Sequence, residues 1–586
     1  MPESRVLVFV GPLLITAAVL QLLMAAKTHS RIGGVLGHTA LPEDISINAR
    51  EYSQHIQGSP KPVRQNSSYP KEPFISGTVP SGFLWGTSTA AYQVEGGWNT
   101  GGKGESIWDH WAHQPGRTPL GDTACDSYHK YATDVQLGAN LAMTAYRFSI
   151  SWPRLLPDGT LAGGVNQAGV DYYNKLIDEL IAHKMVPFVT MYHWDLPQAL
   201  QTKYGGWTNA SMVDYFNDYA TLCFQKFGDR VKRWATFNEP WSFIVPGYGL
   251  GVSPPQMLFG MKRRQYEVAH VVIKAHARAW HTYNDSFRAQ QGGEVGIVLG
   301  ALWGQPRNTS DPRDVQAADN FEQFFLGWFA NPIYGNGDYP DAMKQMINGD
   351  SVADPRLPVF TEAEKAYVRG SADFVGLNQY SAVLIYASDH TFPLDFISLV
   401  MPDLKGVKDT SDPTWPHGAS SGFSAHYVVP WNIREQLRYF SEKYSHKVPF
   451  YITETGISEK EQFPPNMNDT WRQCFYMLYV DEAIRAIKLD GRDVRGFFAW
   501  TLMDNIEWGS GHSVRLGLHY TNFSDPNLTR TPKASAKLYR DIATSGGFPE
   551  GAPHTKHTQD WWDWCHTNAP YNNDTEIGAG HYRGPH

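Results

Sequence analysis

The sequence predicts an α/β protein built as a (β/α)8 TIM barrel with long βα loops, which are the loops that follow the strands. Three observations lead to this prediction. Short apolar runs alternate with helical patterns eight times between Phe74 and Phe548. The runs have the length and composition of buried strands. A barrel of this kind typically takes about 250 residues and exceeds about 400 when its loops carry insertions, which fits the length of this region.

The strand-like runs are interpreted as the eight barrel strands in chain order. They cover residues 83–88, 143–149, 186–192, 233–237, 294–299, 374–378, 450–454 and 494–500. A doubly wound open sheet is the alternative, because it also alternates strands with helices. No nucleotide-binding glycine fingerprint follows the first run, which favours the barrel.

Helical patterns lie between the runs, and two of them show a clear apolar face at 3.6-residue spacing. The first face is formed by Val170, Tyr173, Ile177, Leu180 and Ile181. The second is formed by Phe216, Tyr219, Ala220, Cys223 and Phe227. We expect both faces to pack against the barrel.

The composition is that of a folded chain without a nucleic-acid footprint. The 586 residues are 42% hydrophobic and 18% charged, which supports a large core and argues against general disorder. The net charge of -8 and the isoelectric point near 6.3 argue against the basic surface that binding to nucleic acid requires. The 20 tryptophans suit sugar stacking and an aromatic core equally well.

The N-terminal segment, residues 1–26, is almost wholly apolar after Arg5. We interpret it as a secretory signal peptide or as an uncleaved signal anchor, which would make a single-pass membrane anchor. Either reading directs the chain to the secretory pathway, as a secreted or a membrane-anchored protein. Asn-x-Ser/Thr triplets support this localisation and predict a glycoprotein. The triplets begin at Asn66, Asn209, Asn284, Asn308, Asn468, Asn522, Asn527 and Asn573.

The remaining sequence divides into three further parts. Residues 27–72 lack periodicity and are interpreted as a linker or propeptide. Residues 73–548 form the predicted barrel domain. Residues 549–586 are interpreted as a C-terminal extension.

The four cysteines give no sign of a metal or redox site. Cys125, Cys223, Cys474 and Cys565 form no Cys-x-x-Cys pair. We therefore expect no metal ligands and no cofactor. Cys223 is expected to be buried, while the existence of a disulfide and the oligomeric state are left open.

Two glutamates follow short apolar runs and are the candidate catalytic residues. Glu239 ends Thr-Phe-Asn-Glu, and Glu454 lies in Tyr-Ile-Thr-Glu-Thr-Gly. Carboxylates at the carboxyl ends of barrel strands are where such enzymes carry out chemistry. In this strand count they end strands four and seven, which lie across the barrel mouth from each other. A separation of about 5–5.5 Å would retain configuration at a sugar carbon, whereas about 6.5–9.5 Å would invert it.

Six specific motifs lie in or beside the predicted strand ends, and their order carries a family resemblance. They are Phe-Leu-Trp-Gly-Thr-Ser-Thr-Ala-Ala-Tyr-Gln-Val-Glu-Gly at 83–96, Tyr-His-Trp-Asp-Leu-Pro at 192–197, Thr-Phe-Asn-Glu-Pro at 236–240, Gly-Leu-Asn-Gln-Tyr at 376–380, Ile-Thr-Glu-Thr-Gly at 452–456 and Trp-Thr-Leu-Met-Asp-Asn-Ile-Glu-Trp at 500–508. Together they resemble the family 1 glycoside hydrolases, the retaining β-glucosidase and lactase-like enzymes. The resemblance runs from about Phe83 to Tyr539.

The resemblance implies roles for ten residues. Glu239 would be the acid/base and Glu454 the nucleophile, with a covalent glycosyl-enzyme between two displacement steps. The substrate-binding positions would be Gln93, His193, Asn238, Asn378, Tyr380, Trp500, Glu507 and Trp508. The implied activity is hydrolysis of terminal non-reducing β-D-glucosyl residues, with galactosyl or fucosyl residues as further possibilities, from glucosides or oligosaccharides.

Substrate preference is less well defined than the reaction type. The acidic Glu507-Trp508 pair predicts a neutral sugar, because a carboxylate would repel the phosphate of a 6-phosphorylated one. Thr455, His512 and Leu516 differ from the residues usual in the family, namely asparagine, tyrosine and phenylalanine. A non-catalytic co-receptor barrel of the klotho type and a transglycosidase are the alternatives. The intact pair of glutamates favours an enzyme over the receptor, whereas the sequence does not separate a hydrolase from a transglycosidase.

Overall fold

The computed structural model describes residues 74–549, except 350–353, 391–394, 413–414, 422–423 and 446. The predicted N-terminal segments and nearly all of the C-terminal extension therefore lie outside the described residues. The described residues belong to one compact unit. Within this part of the chain, no helix combines the length and the apolar character that crossing a membrane requires.

Eight parallel strands close into a barrel, which confirms the predicted TIM barrel and excludes the open sheet. The strands are β1 (Leu84–Ser88), β2 (Ala145–Ser149), β3 (Val186–Tyr192), β4 (Arg233–Asn238), β5 (Glu294–Gly300), β6 (Val375–Asn378), β7 (Phe450–Thr455) and β8 (Val494–Trp500). Each strand pairs with its neighbours in chain order, and β8 closes the ring against β1. Every boundary agrees with its predicted run to within about two residues.

Helices lie between the strands, as the predicted pattern requires. The longer ones are Ser127–Asn140, Gln167–Ala182, Met212–Phe227, Arg264–Ser286, Pro312–Phe325, Asn432–Lys443, Thr470–Lys488 and Ala534–Ser545. The shorter ones are Ala91–Val94, Ile107–Ala112, Trp152–Leu155, Gln198–Tyr204, Pro240–Ile244, Arg288–Gln291, Gly327–Tyr334, Asp341–Asn348, Glu362–Val368 and Phe396–Val400. A π-helix covers Val245–Leu250, and 3-10 helices cover Thr100–Gly102, Leu120–Asp122, Gly206–Thr208 and Trp508–Ser510.

The two predicted apolar helix faces are buried, with one exception. All five residues of the second face are fully buried. On the first face Ile181 is 42% exposed, so its assignment to the core is wrong. It lies one position beyond Leu180, and this single step around the helix carries it from the packed face towards solvent.

Additional short strands decorate the loops. A three-stranded sheet has Ala382–Ala387 between Val407–Thr410 and Trp303–Pro306, and an antiparallel hairpin joins His417–Ser421 to Ser424–Tyr427. Three two-stranded ribbons pair Gly77–Thr78 with Gly547–Phe548, Glu459–Lys460 with Val514–Arg515, and His519–Thr521 with Arg530–Pro532. The sheet and the hairpin lie in the insertions after β5 and β6, as expected of long βα loops.

The barrel interior is filled by an apolar cluster beneath the polar strand ends. Its centre is the Phe188 ring, which lies 5.4 Å from the rings of Phe374 and Tyr451 and 5.5 Å from that of Phe498. A much larger core packs between the barrel and its helices. The apolar cluster therefore separates the polar groups at the carboxyl ends of the strands from those at the amino ends, such as Arg233, which donates to the Tyr451 hydroxyl.

The cysteines fall into two classes. Cys125 and Cys223 are buried free thiols, which confirms the expectation for Cys223. Cys474 is disulfide-bonded, so the disulfide that the sequence left open is present.

Candidate active site

Glu239 follows directly after β4 in an unusual backbone conformation. Its φ of 44° and ψ of 69° lie in the left-handed region, which side chains of this size rarely adopt. The next residue, Pro240, begins a short helix. The Glu239 amide donates a hydrogen bond to the carbonyl oxygen of Val298 in the neighbouring strand, at 2.9 Å. Such strained residues persist where the surrounding structure holds them, and they cluster at functional sites.

The Glu239 side chain is half-buried, and its carboxyl group contacts neutral donors. Asn378 donates its amide to Oε1 at 2.7 Å, and the Ser242 hydroxyl donates to Oε2 at 2.6 Å. Burial, followed by the negative charge of Glu454, raises the pKa of Glu239 from 4.5 to about 7. The absence of a side chain at Gly300 leaves room for this group, since a Cβ there would lie 3.3 Å from Oε2. Glu239 can therefore hold a proton near neutral pH.

Glu454 lies within β7 and differs from Glu239 because its partners include a cation. Arg147 donates Nη1 to Oε1, and the Tyr380 hydroxyl donates to Oε2 at 2.8 Å. Burial raises the pKa of Glu454, and the Arg147 charge is the strongest influence that opposes this rise. An ion-pair partner favours the charged form of a buried carboxyl group. Of the two carboxyl groups, Glu454 is thus the one held ready as an anion.

Arg147, in β2, is the principal site residue that the sequence reasoning missed. Its side chain is fully buried and donates to Glu454 and, through Nη2, to Asn238 Oδ1 at 2.7 Å. A signal for it was present, since a lone arginine stands in the apolar run 143–149. A buried charge requires a partner, and the partners of Arg147 belong to the candidate catalytic machinery.

Asn238 connects the two glutamates to His193 and fixes the proton position of that histidine. Asn238 Oδ1 accepts from Arg147 and from Asn378 Nδ2, the latter at 3.0 Å. Its Nδ2 must therefore be the donor to His193 Nε2, at 3.1 Å. Burial keeps the pKa of His193 well below its usual range, so the ring is neutral and carries its proton on Nδ1. Among the described residues Nδ1 has no hydrogen-bond partner, which leaves a buried donor for a ligand hydroxyl.

Gln93 provides a matching acceptor. Its Nε2 donates to the carbonyl oxygen of Ile506 at 2.6 Å and to Asn505 Oδ1 at 3.3 Å, which ties it to the segment just before Glu507. Its Oε1 is buried and has no partner within the part of the chain that the structure describes. A donor on His193 and an acceptor on Gln93 together suit a polyhydroxylated ligand.

Aromatic rings form the walls of this site. The ring of His193 lies nearly parallel to the rings of Trp500 and Trp508, with distances between ring centroids of 6.0 Å and 5.9 Å. Trp508 also packs against Trp194 at 4.3 Å, while the Trp194 indole donates to the Asn238 carbonyl oxygen at 2.9 Å. Such rings offer apolar faces beside polar groups, the combination that sugars require.

All ten predicted residues lie at the carboxyl ends of barrel strands or in the loops that follow them, and the contacts connect them into one site. Glu507 is half-buried and close enough to Tyr380 to contribute to the raised pKa of that tyrosine, of which burial is the main cause. Of the three unusual positions, Leu516 packs in the Trp500 cluster and Thr455 is buried. His512 lies further out and stacks on Phe523 at 3.6 Å.

Comparisons with known proteins agree with this geometry. Glycosyl hydrolase family 1 matches residues 75–548. The lactase/phlorizin hydrolase of Homo sapiens is 43% identical over 88% of this chain, which spans about a quarter of that protein, 26% of its length. The lactase-like protein of Homo sapiens is 43% identical, with 83% of this chain and 85% of that protein covered. The crystal structure of a rice β-glucosidase is 39% identical with a TM-score of 0.72, covering 79% of this chain and 98% of that one.

The family match spans the whole barrel and includes both glutamates in the expected strand positions. The chain therefore belongs to glycosyl hydrolase family 1.

Proposed function

We propose that this protein is a retaining β-glycosidase that hydrolyses terminal non-reducing β-D-glucosyl residues by double displacement. The observation that carries the proposal is the contrast between the two carboxyl groups. Glu239 has neutral donors and a pKa raised to about 7, while Glu454 is paired with Arg147. One group is suited to hold a proton and the other to attack as an anion.

In the first step the Glu454 carboxylate attacks the anomeric carbon while the bond from that carbon to the leaving oxygen breaks. Glu239 gives its proton to the leaving oxygen. Esterification of Glu454 removes the negative charge that helps to raise the pKa of Glu239, so the pKa falls and Glu239 remains a carboxylate.

In the second step Glu239 takes a proton from water, whose oxygen attacks the anomeric carbon. The ester bond to Glu454 breaks, and Glu239 is again protonated as Glu454 returns to the anion. A rice β-glucosidase related to this chain has been crystallised as a mutant in a covalent complex with Glc, which supports an intermediate of this kind here.

The sugar site supports a neutral hexose. Gln93, His193 and Glu507 supply donors and acceptors for hydroxyls, and Trp500 supplies a stacking face. The carboxylate of Glu507 disfavours a phosphorylated sugar. Galactosides and fucosides, and transfer to an alcohol in place of water, are alternative specificities of the same site. A non-catalytic co-receptor is disfavoured because both glutamates and the sugar-site residues are intact.

The roles of the two glutamates can be tested with leaving groups of different acidity. A Glu239→Ala variant should lose about 10²–10⁴-fold in kcat/KM on an alkyl β-glucoside, whose leaving group needs a proton. On a dinitrophenyl β-glucoside, whose leaving group needs none, kcat/KM should fall far less. The matched control, Glu454→Ala, should lose activity on both substrates equally. Equal losses for Glu239→Ala on the two substrates would contradict the assignment.

We also propose that the protein matures in the secretory pathway. The apolar segment 1–26 and the Asn-x-Ser/Thr triplets support this, as does the disulfide of Cys474, since disulfides persist in oxidising compartments. Asn284, Asn468 and Asn527 are exposed. Expression in a eukaryotic cell should give a protein whose mass falls on treatment with an N-glycosidase. An unglycosylated protein with a reduced Cys474 would contradict the proposal.

A further inference from the structure

The loop of residues 251–263, here named the apex loop, presents apolar side chains to solvent. It connects the π-helix Val245–Leu250 to the helix Arg264–Ser286. Phe259 is 92% exposed and Leu258 39% exposed. Phe259 also has a φ of 62°, a left-handed conformation that is unfavourable for a bulky residue. Neither burial nor backbone preference accounts for a phenylalanine at this position.

The apex loop is nevertheless held firmly at its base. The amide of Met257 donates to the Gly247 carbonyl oxygen and that of Gly260 to the Gly249 carbonyl oxygen, both at 2.9 Å. Arg264 donates Nη1 to the carbonyl oxygens of Met257 and Leu258, at 3.0 and 2.9 Å. Met257 also packs against the core. The loop therefore presents Phe259 from an ordered support.

Positive charge accompanies this apolar tip. Lys262, Arg263 and Arg264 lie three to five residues after Phe259, and no aspartate or glutamate occurs from Pro240 through Tyr266. The Arg264 guanidinium contacts neutral carbonyl oxygens and pairs with no carboxylate of the described residues, while Arg263 pairs with Asp354 at the surface. This is a local basic patch on a chain whose net charge is -8.

We propose that the apex loop docks the protein on an anionic lipid surface. Phe259 and Leu258 enter the boundary between headgroups and acyl chains, and Lys262 and Arg264 face the lipid phosphates. Aromatic and aliphatic tips flanked by basic side chains match that boundary in both polarity and charge.

The position of the apex loop connects membrane docking with the candidate active site. The loop belongs to the connection after β4, at the barrel end that carries Glu239 and Glu454. If the protein is the β-glycosidase proposed above, on which this step rests, its substrates are β-glycosides whose aglycone is embedded in a bilayer. Docking itself does not depend on catalysis and is tested separately.

The test is binding of the full-length protein to vesicles of phosphatidylcholine, with and without phosphatidylserine, measured by co-sedimentation. Phe259→Asn is the informative variant, since asparagine tolerates a positive φ and adds no charge. Phe463→Asn is the matched control. Phe463 is 97% exposed in the loop after β7, but Glu459 and Glu461 precede it. Turnover of a soluble chromogenic β-glucoside reports whether each variant is folded and whether the proposed activity is present.

We expect the wild type to bind vesicles that contain phosphatidylserine and to dissociate at high salt. Phe259→Asn should bind about tenfold more weakly, and Lys262→Gln about fivefold more weakly. Phe463→Asn should bind like the wild type, and soluble turnover should be unchanged in all three variants. Absence of wild-type binding, or equal losses for Phe259→Asn and Phe463→Asn, would overturn the proposal. Vesicle binding without turnover of any β-glucoside would overturn the proposed function and leave docking standing.

Discussion

Replacing Glu454 by glutamine should lower the pKa of Glu239. Glutamine keeps the shape of the side chain and removes its negative charge. That charge is the second cause, after burial, of the rise in the pKa of Glu239 to about 7. The variant also leaves the Arg147 cation without its carboxylate partner, and Arg147 already acts to lower this pKa. Both changes favour the ionised form of Glu239.

The size of the effect follows from the charges involved. Two unit charges about 5.5 Å apart, as in a retaining pair, interact with about 3 kcal/mol at an effective dielectric constant of about 20. An interaction of this size shifts a pKa by about two units. Burial persists in the variant, so the pKa of Glu239 should fall from about 7 to about 5 and remain above its ordinary value of 4.5.

The assay is an infrared titration of the carbonyl band of protonated carboxylic acids. The titration needs no substrate turnover, so it can be carried out on the Glu454→Gln variant. The band that titrates near pH 7 in the wild type should titrate about two pH units lower in Glu454→Gln. Other buried carboxyl groups, such as Asp409 with a pKa raised to about 7, also titrate in this range. The Glu239 band is therefore the part of the signal that the additional Glu239→Gln substitution removes. A Glu239 band, assigned in this way, that still titrates near pH 7 in Glu454→Gln would show that burial alone sets the pKa and would refute the electrostatic coupling of the two residues.

Four further predictions concern the pH dependence, the partners of the carboxyl pair and the sugar site. Since Glu239 must be protonated and Glu454 ionised in the free enzyme, kcat/KM should fall as the pH rises through about 7 and also as it falls through the pKa of Glu454. Arg147→Met should move the acid limb of this profile to higher pH and lower kcat/KM about a thousandfold. In a denaturant titration it should destabilise the fold by about 3–5 kcal/mol. An acid limb at unchanged pH would contradict the ion-pair argument. Tyr380→Phe should move the same limb upward with a tenfold to hundredfold loss, about the value of one hydrogen bond to a charged group, and an unchanged profile would count against the contact. Gln93→Ala should lower kcat/KM for glucosides about tenfold with the pH profile unchanged, and a shift of either limb would contradict a role confined to sugar binding.

The strands and the barrel were predictable because their signals are local. Runs such as 186–192 and 494–500 are apolar over their whole length, and the structure begins and ends them at the same residues. Helix faces were predictable for the same reason, and Ile181 failed because it lies at the edge of an apolar face. Periodicity identifies the side of a helix that packs, but it does not locate the edge of that side.

The arrangement of the candidate site was only partly predictable. The motifs identified residues such as Glu239 and Glu454, but Arg147 belongs to a strand with no recognised motif, and its partners lie 91 and 307 residues away along the chain. The neutral state of His193 and the proton on its Nδ1 depend on which atoms of Asn238 face Arg147 and Asn378. Such assignments need the positions of donors and acceptors from several strands at once, which no local pattern contains.

The most direct test of the central claim is to trap the covalent intermediate and locate it. A 2-deoxy-2-fluoro-β-D-glucoside with a good leaving group slows the second step more than the first, so the glycosyl-enzyme should accumulate. Peptide mapping by mass spectrometry should then find one fluoroglucosyl group on the peptide that contains Glu454. A label on the Glu239 peptide, or turnover with no covalent label, would contradict the assignment of Glu454 as the nucleophile.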